Sequence, residues 1–127
     1  MSHLAKTLAI CAVASLLAAL PASAAPPKAS AAAKCNVQGK ERDFGRRYVS
    51  YVTALSTRGV TCANATDFVK RYHRCRAANG GKKGHCRGVR GFRCEERRYN
   101  KISISFDANV LCTRGSQRIR HTYTMIL

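Results

Sequence analysis

Acidic residues are scarce in this chain: Asp and Glu together number six, against 23 Lys and Arg in 127 residues. A carboxylate pair acting as acid and base on a glycosidic bond needs two acids with freedom from strong partners, and Glu41, Asp43 and Glu96, half of the six, stand directly beside arginines. No Gly-x-Ser-x-Gly elbow is present, and no glycine-rich loop runs into Lys-Ser/Thr after a strand. Those absences remove α/β-hydrolase and P-loop chemistry. Tight Cys-x2–4-Cys or His-x3–5-His spacing is missing too. Cys62, His73, Cys75, His85 and Cys86 are too widely spaced for an ordinary zinc site, so no metal and no cofactor is implied. Past the N-terminus no apolar run approaches the roughly 20 residues of a membrane span.

What is present begins with an export signal. Lys6 precedes the apolar run Leu8 to Leu20, Pro21 ends it, and Ala22-Ser23-Ala24 has the small-x-small pattern of a signal-peptidase site. Residues 1–24 are read as a signal peptide cleaved near Ala24, which makes the protein secreted or extracytoplasmic. Residues 25–34, Ala-Pro-Pro-Lys-Ala-Ser-Ala-Ala-Ala-Lys, have no apolar period and read as a flexible spacer. Residues 35–127 remain as a single domain, small enough to gain from covalent staples.

Six cysteines follow the leader: Cys35, Cys62, Cys75, Cys86, Cys94 and Cys112. In a short exported chain they read as three disulfides, each worth about 2–4 kcal/mol. Cys75 and Cys86 close a short glycine-rich loop and are the first expected pair. The remaining four are assigned as Cys62–Cys94 and Cys35–Cys112, because Cys94 and Cys112 are both expected to face the helix.

Secondary structure is clearest between Ile102 and Met125. Ile102, Ile104, Phe106, Ala108, Val110 and Cys112 alternate with polar residues, which marks a half-buried strand. Gly115-Ser116 suits a two-residue hairpin turn, and Ile119, His121, Tyr123 and Met125 resume the alternation. That turn pairs Cys112 with Ile119, Val110 with His121, Ala108 with Tyr123 and Phe106 with Met125, so both apolar rows share a face. Upstream, Arg47–Leu55 is rich in β-branched and aromatic residues and reads as a strand. Cys62, Ala65, Phe68, Val69, Tyr72 and Cys75 fall at helical spacing, with Thr61 or Asn64 as cap and Asn79-Gly80-Gly81 as stop. Val89–Arg98 reads as a further strand, with Phe92 and Cys94 inward and Arg93, Glu95 and Arg97 outward. The expected fold is α+β: one amphipathic helix packed on a mostly antiparallel four-stranded sheet, disulfide-stapled.

Several segments resemble small secreted, cysteine-containing proteins found largely in actinobacteria. They are Gly59-Val-Thr-Cys-Ala-Asn-Ala65, Gly91-Phe-Arg-Cys94, Val110-Leu-Cys-Thr-Arg-Gly115 and a closing Arg118-Ile-Arg-His121 strand. The resemblance spans about Tyr48 to Tyr123. It implies the disulfide-stapled α+β fold and an exported location, and it supplies no catalytic residues.

Charge dominates function. The formal net charge is +17, loss of Lys6 removes one unit of it, and fifteen of the cations are arginine. Such a balance implies affinity for polyanions and argues against a cationic target such as lysozyme. Lys70, Arg71 and Arg74 on the helix, Lys82 and Lys83 in the loop, and Arg93, Arg97, Arg118 and Arg120 on the sheet form the candidate anion-binding surface. Arginine's fork suits phosphate and carboxylate. Stacking of single-stranded nucleic acid would want aromatics on that face, and Phe92, Phe106 and Tyr123 point inward instead; sequence-specific nucleic acid is not expected.

The leading expectation is an exported, non-enzymatic basic protein that binds anionic cell-envelope polymers, a membrane surface or an unidentified protein partner. One alternative is a secreted ribonuclease-like or antibacterial toxin, with two histidines as acid and base beside a cation. It requires two of His73, His85 and His121 to meet in an exposed cleft. The sequence places His121 on the inner face, His73 on a helix flank and His85 in a mobile loop. The other alternative is a structural scaffold whose partner the sequence does not name.

Overall fold

A computed structural model describes residues 31–44 and 50–127. The expected leader, most of the spacer and the first three residues of the strand expected from Arg47 lie outside the described residues. The elements in chain order are β1 Ala33–Cys35, β2 Ser50–Arg58, α1 Cys62–Ala78, β3 Gly88–Val89, β4 Phe92–Tyr99, β5 Ser105–Arg114 and β6 Gln117–Ile126. A single 3-10 turn, Gly81–Lys83, follows the helix. The strands form one antiparallel sheet in the order β1-β2-β6-β5-β4-β3. Helix α1 covers one face of it, with Phe68 against Phe92 and Tyr72 against His121.

The α+β class is as expected, but the sheet has six strands rather than four. Two short strands account for the difference. Arg90 and Gly91 both take positive φ, the requirement of a tight type I′ turn, and so split Val89 from Phe92 into the hairpin β3–β4. At the other edge, β1 begins inside the expected spacer and pairs Ala33 with Thr57 and Cys35 with Leu55. A bulge between Val52 and Ala54 shifts the phase of β2. Val52 and Leu55, three residues apart, therefore both turn inward.

Helix α1 starts where the capping pattern puts it. The Thr61 side chain accepts a hydrogen bond from the Asn64 backbone N–H at 3.3 Å. Asn79 ends it, its own N–H donating to the carbonyls of Cys75 and Arg76. Ala65, Phe68, Val69 and Tyr72 are buried as expected. His73 and Arg76 are buried with them, so the inward stripe is wider than the apolar pattern indicates.

The β5–β6 hairpin has the expected register throughout: Cys112 faces Ile119, Val110 His121, Ala108 Tyr123 and Phe106 Met125. Gly115 takes φ +56, which the first central position of its turn demands. Alternation overreached at the start. The strand begins at Ser105, and Ile102 and Ile104 lie before it, 61% and 65% exposed instead of joining the inner row.

Three disulfides close the fold, and two differ from the expected pairs. Cys75–Cys86 forms as the short loop suggests. The other two are Cys94–Cys112 and Cys35–Cys62, correcting Cys62–Cys94 and Cys35–Cys112. Cys94 and Cys112 stand directly opposite across β4 and β5, their Cα atoms 4.1 Å apart, so each finds the other before the helix. Cys62 opens the helix within 5.5 Å, Cα to Cα, of Cys35 at the end of β1. Three disulfides fit an oxidising, extracytoplasmic setting. Among the described residues no helix is long and apolar enough to cross a membrane.

Candidate functional site

The sheet face turned away from the helix gathers charge by cross-strand register. One rung holds Arg93, Thr113, Arg118 and Arg58. The next holds Glu95, Leu111, Arg120, Ser56 and Lys34. A third sets Arg97 beside Asn109 and Thr122. Neighbouring strands lie about 4.8 Å apart, so Arg93 and Arg118, two strands apart, have backbones separated by about 10 Å. Flexible arginine side chains at that spacing are long enough to engage two anionic groups at once. Arg58, Arg93, Arg97, Arg118 and Arg120 are all exposed. Among the described residues none of the five stands within 4.0 Å of a carboxylate.

The other expected cations go elsewhere. Lys82 and Lys83 are exposed on the 3-10 turn. Lys70, Arg71 and Arg74 project from α1, on the opposite side of the domain from the sheet's outer face. Arg71 is engaged there, its Nε 2.9 Å from Asp67 Oδ2, and Arg90 approaches the same carboxylate at 3.6 Å. These pairs hold the Asp67 carboxyl below its usual range, the Arg71 hydrogen bond first. The nine candidates therefore form no single patch: four share the sheet face, three the helix and two the loop.

Between sheet and helix lies a second concentration of charge, buried. Glu96 and Arg98 follow Phe92 and Cys94 at period two on β4 and so face inward. The Glu96 side chain is 3% exposed; its carboxylate accepts hydrogen bonds from Tyr72 Oη, Tyr123 Oη at 3.0 Å and Arg98 Nε. Burial, together with that carboxylate, raises both tyrosine hydroxyls out of the titratable range. Arg98 also donates to the carbonyls of Lys83 and Gly84, at 2.9 and 2.7 Å, and stacks over Phe106 at 4.3 Å. Arg76 is wholly buried; it donates to the Lys82 carbonyl at 2.7 Å and Ser50 Oγ at 2.9 Å, with the Tyr123 ring 5.0 Å away. Two arginines thus grip the loop 82–84 by its backbone. Gly84 is required there, since a Cβ would collide with the Arg76 carbonyl oxygen.

Two histidines meet in the same layer. The rings of His73 and His121 are 5.5 Å apart, each packed on Tyr123, and neither has a ring nitrogen with a hydrogen-bond partner among the described residues. Burial and then the nearby Arg76 charge push His121 down to about 3. Burial, His121 and Arg76 hold His73 well below the usual imidazole range. Both rings are neutral near pH 7. The helix-flank position expected for His73 is corrected: it is at the centre of the core. With exposures of 0% and 1%, neither ring can be reached by a phosphodiester unless the core opens. His85, the exposed histidine among the described residues, sits with Nδ1 3.3 Å from Glu96 Oε1. A shallow groove of about 420 Å³ beside it is lined by Arg87, Arg93 and Glu95.

Glu96, Arg98 and Arg76 are not among the residues that the sequence singles out. The signal was available: Glu96 and Arg98 continue the Phe92, Cys94 row, and Arg76 stands one helical turn beyond Tyr72. Charged types in inward positions read as surface until their partners are known. Among the described residues no cluster of three or more His, Cys, Asp or Glu could hold a metal ion. No protein-family model, curated protein or solved structure matches the chain.

Proposed function

We propose that this is an exported, non-enzymatic domain that binds anionic polymers of the cell envelope through the outer face of its sheet. One observation carries the reading: five exposed arginines on three adjacent rungs, with no carboxylate paired to any of them among the described residues. Arginine that is neither buried nor paired keeps its fork for an external phosphate or carboxylate. The N-terminal leader pattern and the three disulfides support an exported location. The buried state of His73 and His121 supports binding over a histidine-dependent nuclease.

The test is retention on immobilised polyphosphate across a salt gradient. The protein should bind at low salt and elute as salt rises, since exposed charges are screened within about 10 Å at 0.1 M. The triple variant Arg93→Gln/Arg118→Gln/Arg120→Gln should elute at clearly lower salt and lose at least tenfold in affinity. Absence of retention at low salt, or elution indifferent to salt, removes the proposal.

A further inference from the structure

We infer that the tip of the sheet formed by the β4–β5 loop is a membrane-docking element, which inserts Ile102 and Ile104 into an anionic bilayer. The inference rests on the anion-binding reading and names one carrier of the anions, a phospholipid surface. Four large apolar residues are exposed among those described: Tyr99, Ile102, Ile104 and Ile126. They gather at one end of the sheet instead of scattering. Tyr99 closes β4, Ile102 and Ile104 follow in the loop, and Ile126 stands opposite Ser105 at the end of β6. Isolated exposed apolar side chains need no explanation, but four together at one tip mark an interaction surface.

The loop is also fixed, so its isoleucines are presented rather than free to fold back. Asn100 takes positive φ, and its side chain donates to Asp107 Oδ2 at 2.9 Å. Ile102 N–H donates to the Ser105 carbonyl at 2.9 Å, and Leu127 N–H to the Ile104 carbonyl at 2.8 Å. These bonds satisfy backbone polar groups that would otherwise oppose entry into a lipid interface.

Charge selects the occupant. Lys101 lies within the loop, and Arg97 lies two residues before Tyr99, about 7 Å along the same outer face. The arginine rungs continue from there. Asp107, on Tyr99's rung, is taken up by Thr124 and Asn100. A second copy of this chain would bring the same large positive charge to the contact, whereas an anionic bilayer offers an apolar interior beneath opposite charge. Apolar insertion and cationic attraction then act together, as stable interfacial binding requires.

The chain contains no tryptophan, so Ile104→Trp creates a single local reporter. With vesicles of mixed zwitterionic and anionic phospholipid, its fluorescence should shift to the blue and be quenched by lipids brominated in the acyl chain. A local probe is unaffected by any binding through the N-terminal apolar run. In parallel, Ile102→Ser/Ile104→Ser should weaken vesicle binding at least tenfold and leave polyphosphate retention unchanged. Retained polyphosphate binding with no blue shift and no vesicle defect overturns the membrane inference alone. Loss of polyphosphate binding by the wild-type chain overturns the anion reading beneath it. A blue shift of the Ile104→Trp variant that follows protein concentration rather than lipid identifies a second copy as occupant and also overturns the inference.

Discussion

The two faces of the sheet use the same residue type in opposite ways. On the outer face Arg93, Arg97, Arg118 and Arg120 are exposed and without carboxylate partners among the described residues. On the inner face Arg76 and Arg98 turn their donors to the protein itself, to the Lys82, Lys83 and Gly84 carbonyls, Ser50 and Glu96, and among the described residues only Arg76 Nε is left buried without a partner on these two side chains. A buried guanidinium is costly unless most of its nitrogens find acceptors, while an exposed one loses little hydration and keeps its donors for a ligand. Net charge therefore overstates the cationic surface open to solvent, because part of it is internal scaffolding. Substitutions on the two faces should separate stability from affinity.

The largest effect is expected at Arg76. Arg76→Ala removes the donors for the Lys82 carbonyl and Ser50 Oγ, opens a cavity against Tyr123 and frees the loop 82–84. A loss of about 3–5 kcal/mol is expected in urea unfolding, in the range for breaking a buried charged network. Polyphosphate retention of the fraction that remains folded should be unchanged. Equal losses of stability and retention would mean that the inner network also shapes the binding face.

Most of the outer face was legible in the sequence, and most of the inner network was not. Alternation and the Gly115-Ser116 turn determine the β5–β6 register, so Arg118 and Arg120 could be placed outward from pattern and turn together. The same alternation carried too far back and buried Ile102 and Ile104 by pattern alone. The pattern carries no information about where a strand ends, and the backbone turns at Asn100 before the strand begins. Disulfide partners depend on which cysteines share a rung. Cys94 and Cys112 do, and that required the β4–β5 register, which no tight turn announces. The inner Glu96 and Arg98 were hidden for a different reason: a charged residue is buried only through partners distant in sequence, and Tyr72, Tyr123 and the loop carbonyls lie on three other elements.

The histidine pair gives the inner face a pH dependence that the outer face lacks. Both imidazoles have folded pKa values below the unfolded value of 6.5, so below pH 6.5 the unfolded chain binds protons that the folded chain does not. Stability is therefore fully present above pH 6.5 and falls as pH drops toward about 3. Between pH 6.5 and 4.5 the slope should be roughly 1 kcal/mol per pH unit for His121, with His73 adding to it in the same direction, a window that precedes most carboxylate protonation. His73→Leu should flatten that slope in urea titrations run at stepped pH. It should also hold or raise stability at pH 7, because it removes a buried ring with two unpartnered nitrogens. An unchanged slope would show that His73 is protonated in the folded protein.

The smallest stability effect belongs to the outer arginines, and it is the sharpest test of the contrast. Arg93, Arg118 and Arg120 make no side-chain ion pair among the described residues, and each lies exposed in high-dielectric surroundings. Replacing all three with Gln should change unfolding free energy by less than about 0.5 kcal/mol per site, since surface substitutions away from caps, cores and networks rarely do more. The sign should be slightly stabilising at low salt: three like charges on neighbouring rungs repel, and their removal relieves that. The gain should vanish at about 0.5 M salt, where repulsion is already screened. If the triple variant is instead markedly less stable, these side chains pack or pair within the domain. Their exposure would then be no sign of a free binding face, and the difference between the two faces would be one of degree.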